Sequence, residues 1–338
     1  MDDRKQIYRI LCFLVLFCSF IYPCLSELCH PQDKKALLQI KKGFNNPHVF
    51  STWDPNTDCC VNWGGAHCDE KNNRIETLEI YFGGGDLSGP IPPEIGDLPY
   101  LRTLWWHKQP NLTGPIPQSI TKLERLSYLV ITWANLSGPI PDFLSEIKSL
   151  VSIEFSFNNL TGSIPSSLSR LPNLTGLALD RNKLTGPIPD SFGEFQGFSF
   201  YLKLSHNQLS GKIPASLGKK DFTYVDLSRN KLEGDASVLF GSNKKMTQQV
   251  YLSRNSFEFD LSEVEFPKSL IELDLSHNKI TGSIPVGLTA VDYLQGLNVS
   301  YNRLCGKIPV GGALQGFDYT VYFHNRCLCG SPLMESCK

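Results

Sequence analysis

Carboxylates, cysteines and a periodic set of basic and aromatic side chains are the groups in this 338-residue chain with chemistry to offer. Asp180, Asp226 and Asp274 are scattered over successive or alternate copies of a repeat and could pose as paired carboxylates. Glycoside hydrolysis needs two carboxyls in a cleft, one with a raised pKa; an open surface would leave these three solvated. Gly83–Gly84–Gly85 begins like a nucleotide loop but reaches Ser88 where the final glycine belongs, so it reads as an insertion. No H-E-x-x-H, G-x-S-x-G, Walker loop or zinc spacing occurs. The expectation is a protein that is not an enzyme and needs no cofactor or metal.

The cysteines carry a clearer message. Cys12, Cys18 and Cys24 lie in an N-terminal segment where Arg4, Lys5 and Arg9 precede an apolar run from Ile10 to Ile21. That run is short of the roughly 20 residues needed to cross a bilayer. Residues 1–26 therefore read as a secretory signal cleaved near Ser26. The remaining eight cysteines form two sets, Cys29, Cys59, Cys60 and Cys68 near the start and Cys305, Cys327, Cys329 and Cys337 near the end. An oxidising compartment favours disulfides. Adjacent Cys59 and Cys60 cannot easily bond each other, which leaves two connectivities in the front set. The simpler is Cys29–Cys59 with Cys60–Cys68; its counterpart at the back is Cys305–Cys327 with Cys329–Cys337. No second long apolar stretch follows the signal, so the product is expected to be extracellular and not membrane-spanning. Loss of residues 1–26 leaves 29 basic against 31 acidic residues, a balance that argues against a nucleic-acid partner.

The elements that must position these groups are set by a repeat. Gly89, Gly114, Gly138, Gly162, Gly186, Gly211, Gly282 and Gly306 each open a G-x-I-P, and degenerate copies at Gly234 and Phe259 keep the phase at 23 to 25 residues. The copy over 147–170 follows L-x-x-L-x-L-x-x-N-x-L-x-G-x-I-P, the pattern of a plant-type leucine-rich repeat. The predicted fold is an α/β solenoid of about ten 24-residue repeats over 75–309. Disulfide-bonded caps occupy 27–74 and 310–338, the first with a helix over 33–42. In the fourth repeat Leu150, Ile153, Phe155, Leu160, Ile164 and Leu168 should point inward. The recurrent Asn158, Asn182, Asn207, Asn230, Asn255, Asn278 and Asn302 should satisfy backbone groups where the chain turns. Parallel strands about 4.8 Å apart then make a concave ladder, and such arrays bind rather than catalyse.

On that ladder the position before each asparagine reads Lys108, Trp133, Phe157, Arg181, His206, Arg229, Arg254, His277 and Tyr301. Taken as exposed strand positions, these make an aromatic-then-basic ridge suited to an anionic partner, acidic protein loops or an acidic polysaccharide. The middle column reads Trp105, Val130, Glu154, Ala178, Lys203, Asp226, Tyr251, Asp274 and Asn298, mixed as for an irregular protein partner. Trp105, Trp133, Phe157 and Tyr251 are the natural anchors. Sequons stand at Asn111, Asn135, Asn159, Asn173 and Asn298. The first four are expected in turns or convex segments, whereas a glycan at Asn298 would crowd the concave face.

The start E-L-C-H-P-Q-D-K-K-A-L-L-Q-I-K-K, the T-D-C-C at 57–60, the G-D-A-S-V-L-F-G-S at 234–242 and the end C-L-C-G-S-P-L at 327–333 resemble plant polygalacturonase-inhibiting proteins. The resemblance spans 27–338. It implies a secreted, monomeric cell-wall glycoprotein of plant defence that binds fungal endopolygalacturonases and restrains pectin cleavage. It agrees with the simpler disulfide pairing and adds Gln248, which matches a position implicated in enzyme binding. Trp105–Trp106–His107–Lys108 and Trp133 depart from the smaller residues usual there, which puts the identity of the target in doubt. Plant leucine-rich antifreeze proteins resemble the same family, so ice binding is an alternative; the Ser205, Ser228, Ser253, Ser276, Ser300 ladder is the regular array it would use. A soluble ligand-binding partner of a receptor is a third.

Overall fold

The computed structural model describes residues 27–81, 86–196 and 200–337. Residues 1–26, read as a secretory signal, and Gly83–Gly85, read as an insertion, lie outside the described residues. Ten parallel strands, one per repeat, run from Ile75–Ile80 to Gly296–Asn298 in one sheet, which Ala66–Cys68 joins antiparallel at its front edge. The register follows from burial. Leu78, Leu104, Leu129, Ile153, Leu177, Leu202, Val225, Val250, Leu273 and Leu297 are paired coil to coil, and every one is buried. A slip of one residue would turn that whole row to solvent.

The six apolar positions named in the fourth repeat are all buried. The glycine of each G-x-I-P takes positive φ, 76° to 101° over the ten-repeat set where glycine is present, a conformation that a Cβ disfavours. A second parallel sheet of eight short strands, from Gly89–Pro90 to Ser256–Phe257, forms around these glycines. The following proline sits extended before a 3-10 turn, as Pro165 does before Ser166–Arg170. It has no N–H to leave unpaired there.

Each asparagine of the ladder closes its coil. Asn182 Nδ2 donates to the carbonyls of Phe155 (2.9 Å), Leu179 (3.0 Å) and Asp180 (3.3 Å), and Oδ1 accepts from Leu184's counterpart one coil back, the Leu160 amide, at 3.0 Å. Asn325 makes the same bonds to Leu304, Val299 and Tyr322. The C-terminal segment thus opens with a truncated eleventh coil, whose strand Cys327–Cys329 pairs with Cys305–Lys307. The signal was present as His324–Asn325, in phase with Tyr301–Asn302.

At the front, helix Pro31–Gly43 (α1) covers the first coil through Ala36, Leu37 and Ile40. His30 Nδ1 caps it by accepting from the Gln32 amide, and Lys41 and Lys42 complement its C-terminal dipole. Its buried Asp33 receives Arg74 Nε at 2.9 Å, Nη2 at 2.7 Å and the Ile75 amide at 2.8 Å. This tie fastens the helix to the first repeat strand. The disulfides are Cys29–Cys59, Cys60–Cys68, Cys305–Cys327 and Cys329–Cys337. Among the described residues, no helix is long and apolar enough to cross a membrane.

Candidate binding face

The open side of the long sheet is built from alternating outward residues, and the structure corrects their placement in three respects. The column before the asparagines does not lie on strand positions. Trp133 follows the strand Tyr128–Thr132, Arg229 lies beyond Phe222–Asp226, and Arg254 beyond Gln249–Tyr251. All nine residues from Lys108 to Tyr301, and His324 after them, adopt left-handed φ between 54° and 58°. The chain must turn inward here to bring the asparagine into the core, and the left-handed residue makes that turn.

The resulting ridge runs along the C-terminal edge of the sheet. Trp133 is 46% exposed and stacks on Phe157 at 3.7 Å between centroids, with the ring planes 13° apart. The Arg181 guanidinium lies 4.9 Å from the Phe157 ring. His277, Tyr301 and His324 form a second stack with 4.2 Å spacings. Lys108, Arg181, Arg229 and Arg254 are exposed. His206 is held below its ordinary pKa by burial and by Arg181 and Arg229; His277 is lowered by burial and by Arg254. His107, lowered by burial and Lys108, shares a hydrogen bond with Thr132 Oγ1 at 2.9 Å.

The second correction concerns the middle column, which is not uniformly exposed. Trp105 is, leaning on Tyr81 at 5.4 Å, but Val130 is only 3% and Ala178 only 2% exposed. Tyr201 lies so close over Gly176 that a Cβ there would meet its ring, and its hydroxyl reaches Ser152 Oγ at 2.6 Å and Glu154 Oε1 at 2.7 Å. Lys203 Nζ lies 5.1 Å from the Tyr224 ring, and burial pushes the Tyr224 phenol up to about 12. Tyr251 is half-buried against Tyr224 and donates to Glu272, so it is less free an anchor than its column suggests. Tyr128, Tyr201 and Tyr224 form an aromatic edge absent from the sequence reading. Its signal was a tyrosine directly before the inward Leu129, Leu202 and Val225. Gln248 lies just before the strand Gln249–Tyr251, with its amide bonded to the Thr223 carbonyl.

The third correction concerns the aspartates and serines. Asp180 is half-buried rather than fully solvated: burial raises its pKa, and its carboxylate accepts from Ser156 Oγ at 2.5 Å. Asp226 and Asp274 instead accept from the backbone amides of Ser228 and Ser276 at 3.0 Å. The three serve the local chain rather than converging on a cleft. Ser205, Ser253, Ser276 and Ser300 are buried, so the serine ladder presents no continuous hydroxyl array.

Of the sequons, Asn111 and Asn173 sit exposed in turns, whereas Asn135 and Asn159 open strands Asn135–Pro139 and Asn159–Gly162 of the second sheet. Asn298 is on the face itself, its Oδ1 taken by Ser300 N and Oγ.

Stacked coils with capped ends and an open, side-chain-rich sheet define a leucine-rich-repeat protein. Family models for the leucine rich repeat N-terminal domain match residues 30–69, and those for the leucine rich repeat match 149–171, 173–195, 200–219 and 269–290. Over 324 residues the chain is 62% identical to a polygalacturonase inhibitor of Pyrus communis, covering 96% of each. It is 61% identical over 325 residues to one of Vitis vinifera, again covering 96% of each. A solved structure of a plant ice-binding protein superposes with a TM-score of 0.88 at 49% identity, over 91% of this chain and 98% of that one. The chain belongs to the polygalacturonase-inhibitor family.

Proposed function

We propose that this protein is a secreted plant cell-wall inhibitor of fungal endopolygalacturonases, acting in defence by occlusion and without covalent chemistry. The full-length identity to named polygalacturonase inhibitors carries this reading. The face supports it: Trp105 and Trp133 offer exposed aromatic area, and Lys108, Arg181, Arg229 and Arg254 offer charge to acidic loops of an enzyme. The ridge side chains stand at left-handed positions fixed by the asparagine turn, which sets them out in one line along the sheet edge. His107, Lys203, His206, Gln248 and Tyr251 complete the proposed contact set, with polygalacturonate a secondary ligand of the ridge. In this reading the protein has no catalytic role. A reducing-end assay of a panel of fungal endopolygalacturonases with the purified protein should show lost rate for at least one. Full rate throughout, with no complex detected, would sink the proposal.

The similarity to a plant ice-binding protein supports a second reading. The burial of the serine ladder and the charged, uneven columns weigh against it. Thermal hysteresis without enzyme binding would reverse the order of the two.

A further inference from the structure

Trp133, Phe157 and Arg181 occupy the same place in three successive coils, but their surroundings differ. Trp133 and Arg181 are exposed, while Phe157 is half-buried between them. Their backbones are tied coil to coil: the Ala134 amide donates to the Phe157 carbonyl at 3.2 Å, and Asn158 to that of Arg181 at 3.2 Å. The stack at 3.7 Å places the indole flat on one face of the phenyl ring, and the guanidinium follows from the next coil at 4.9 Å. Exposed tryptophan and arginine side chains otherwise sample several rotamers, and ordering them on binding costs affinity. A phenyl ring filling the space between them removes that freedom beforehand.

We propose that Phe157 is a positioning residue, which holds the Trp133 indole and the Arg181 guanidinium as one preorganised unit. The unit fits a protein surface where an apolar side chain lies beside a carboxylate, the indole packing on the first and the guanidinium pairing with the second. Phe157 itself need not touch the partner. This deepens the inhibitor reading and rests on it for the identity of the partner.

The test uses full-length protein carrying 5-fluorotryptophan, with the Trp133 resonance assigned by Trp133→Phe. Phe157→Leu keeps apolar bulk but removes the stack, and should shift and broaden the Trp133 fluorine line; Phe157→Tyr keeps the ring and should leave the line in place. Against an endopolygalacturonase that the wild type inhibits, Phe157→Leu should weaken binding about tenfold, mainly through faster dissociation. Phe157→Tyr should restore it, and Phe157→Leu added to Trp133→Ala with Arg181→Ala should cost little more than that pair alone. An unmoved fluorine line in Phe157→Leu, or a further loss when Phe157→Leu is added to that pair, would overturn the proposal. Absence of any wild-type complex would instead remove the inhibitor reading, and the fluorine spectra alone would then decide whether Phe157 holds the pair.

Discussion

At the scale of single residues, side chains on one open face divide into those that serve the coil and those left over for a partner. Asp180 belongs to the first group. It faces Ser156, Lys203 and Asp226, and burial raises its pKa despite the serine bond and the lysine. A carboxyl raised in the folded state favours folding while protonated, and that contribution is lost as pH climbs through the folded pKa. Asp180→Asn should therefore raise the melting temperature at pH 7, with the advantage shrinking toward pH 4, near the ordinary carboxylate value of 3.8. Calorimetry at several pH values checks this; a destabilised variant at pH 7 would mean that the ionised form is the one the coil needs. The sequence could not show it. Asp180 occupies a different column from Asp226 and Asp274, and the serine it bonds, Ser156, lies a coil away.

At the scale of the repeat, the inward leucines and the asparagine turn were legible because both obey the periodicity of the chain. Each coil buries the same positions, so one good copy such as 147–170 predicts the rest. The left-handed column was not legible as such, because the residues there are large and varied where glycine would have advertised the turn. Nor was the exposure of the middle column, where Val130 and Ala178 are buried. The asparagine ladder gives the sharpest prediction at this scale. Asn182→Ala leaves the Leu160 amide and the Phe155 and Leu179 carbonyls short of a partner in the core. Their combined desolvation should cost about 3 kcal/mol. Urea denaturation would show it, and a loss under 1 kcal/mol would mean that the coil relaxes to readmit water.

At the scale of the whole molecule, charge is nearly balanced, at −1 for the full sequence, so any steering of an anionic partner must come from its distribution. The ridge is where cations gather in one line. With His206 and His277 held below their ordinary pKa by burial and neighbouring arginines, its charge at pH 7 rests on Lys108, Arg181, Arg229 and Arg254. Exposed charges of this kind act mainly on encounter and are screened over about 10 Å at 0.1 M salt. They therefore change association more than dissociation. Arg229→Ala with Arg254→Ala removes half of that set from positions past the strand ends, where stability should move by only about 0.5 kcal/mol per site. The double variant should associate with the enzyme several-fold more slowly at low salt, with a salt slope roughly half that of the wild type. As pH falls the two histidines gain protons, the more readily without Arg229 and Arg254 beside them, which should recover part of the lost rate. Surface-plasmon kinetics at two ionic strengths and two pH values separate these effects. An unchanged salt slope would place the steering charges elsewhere and leave the aromatic end of the ridge as the part that recognises the enzyme.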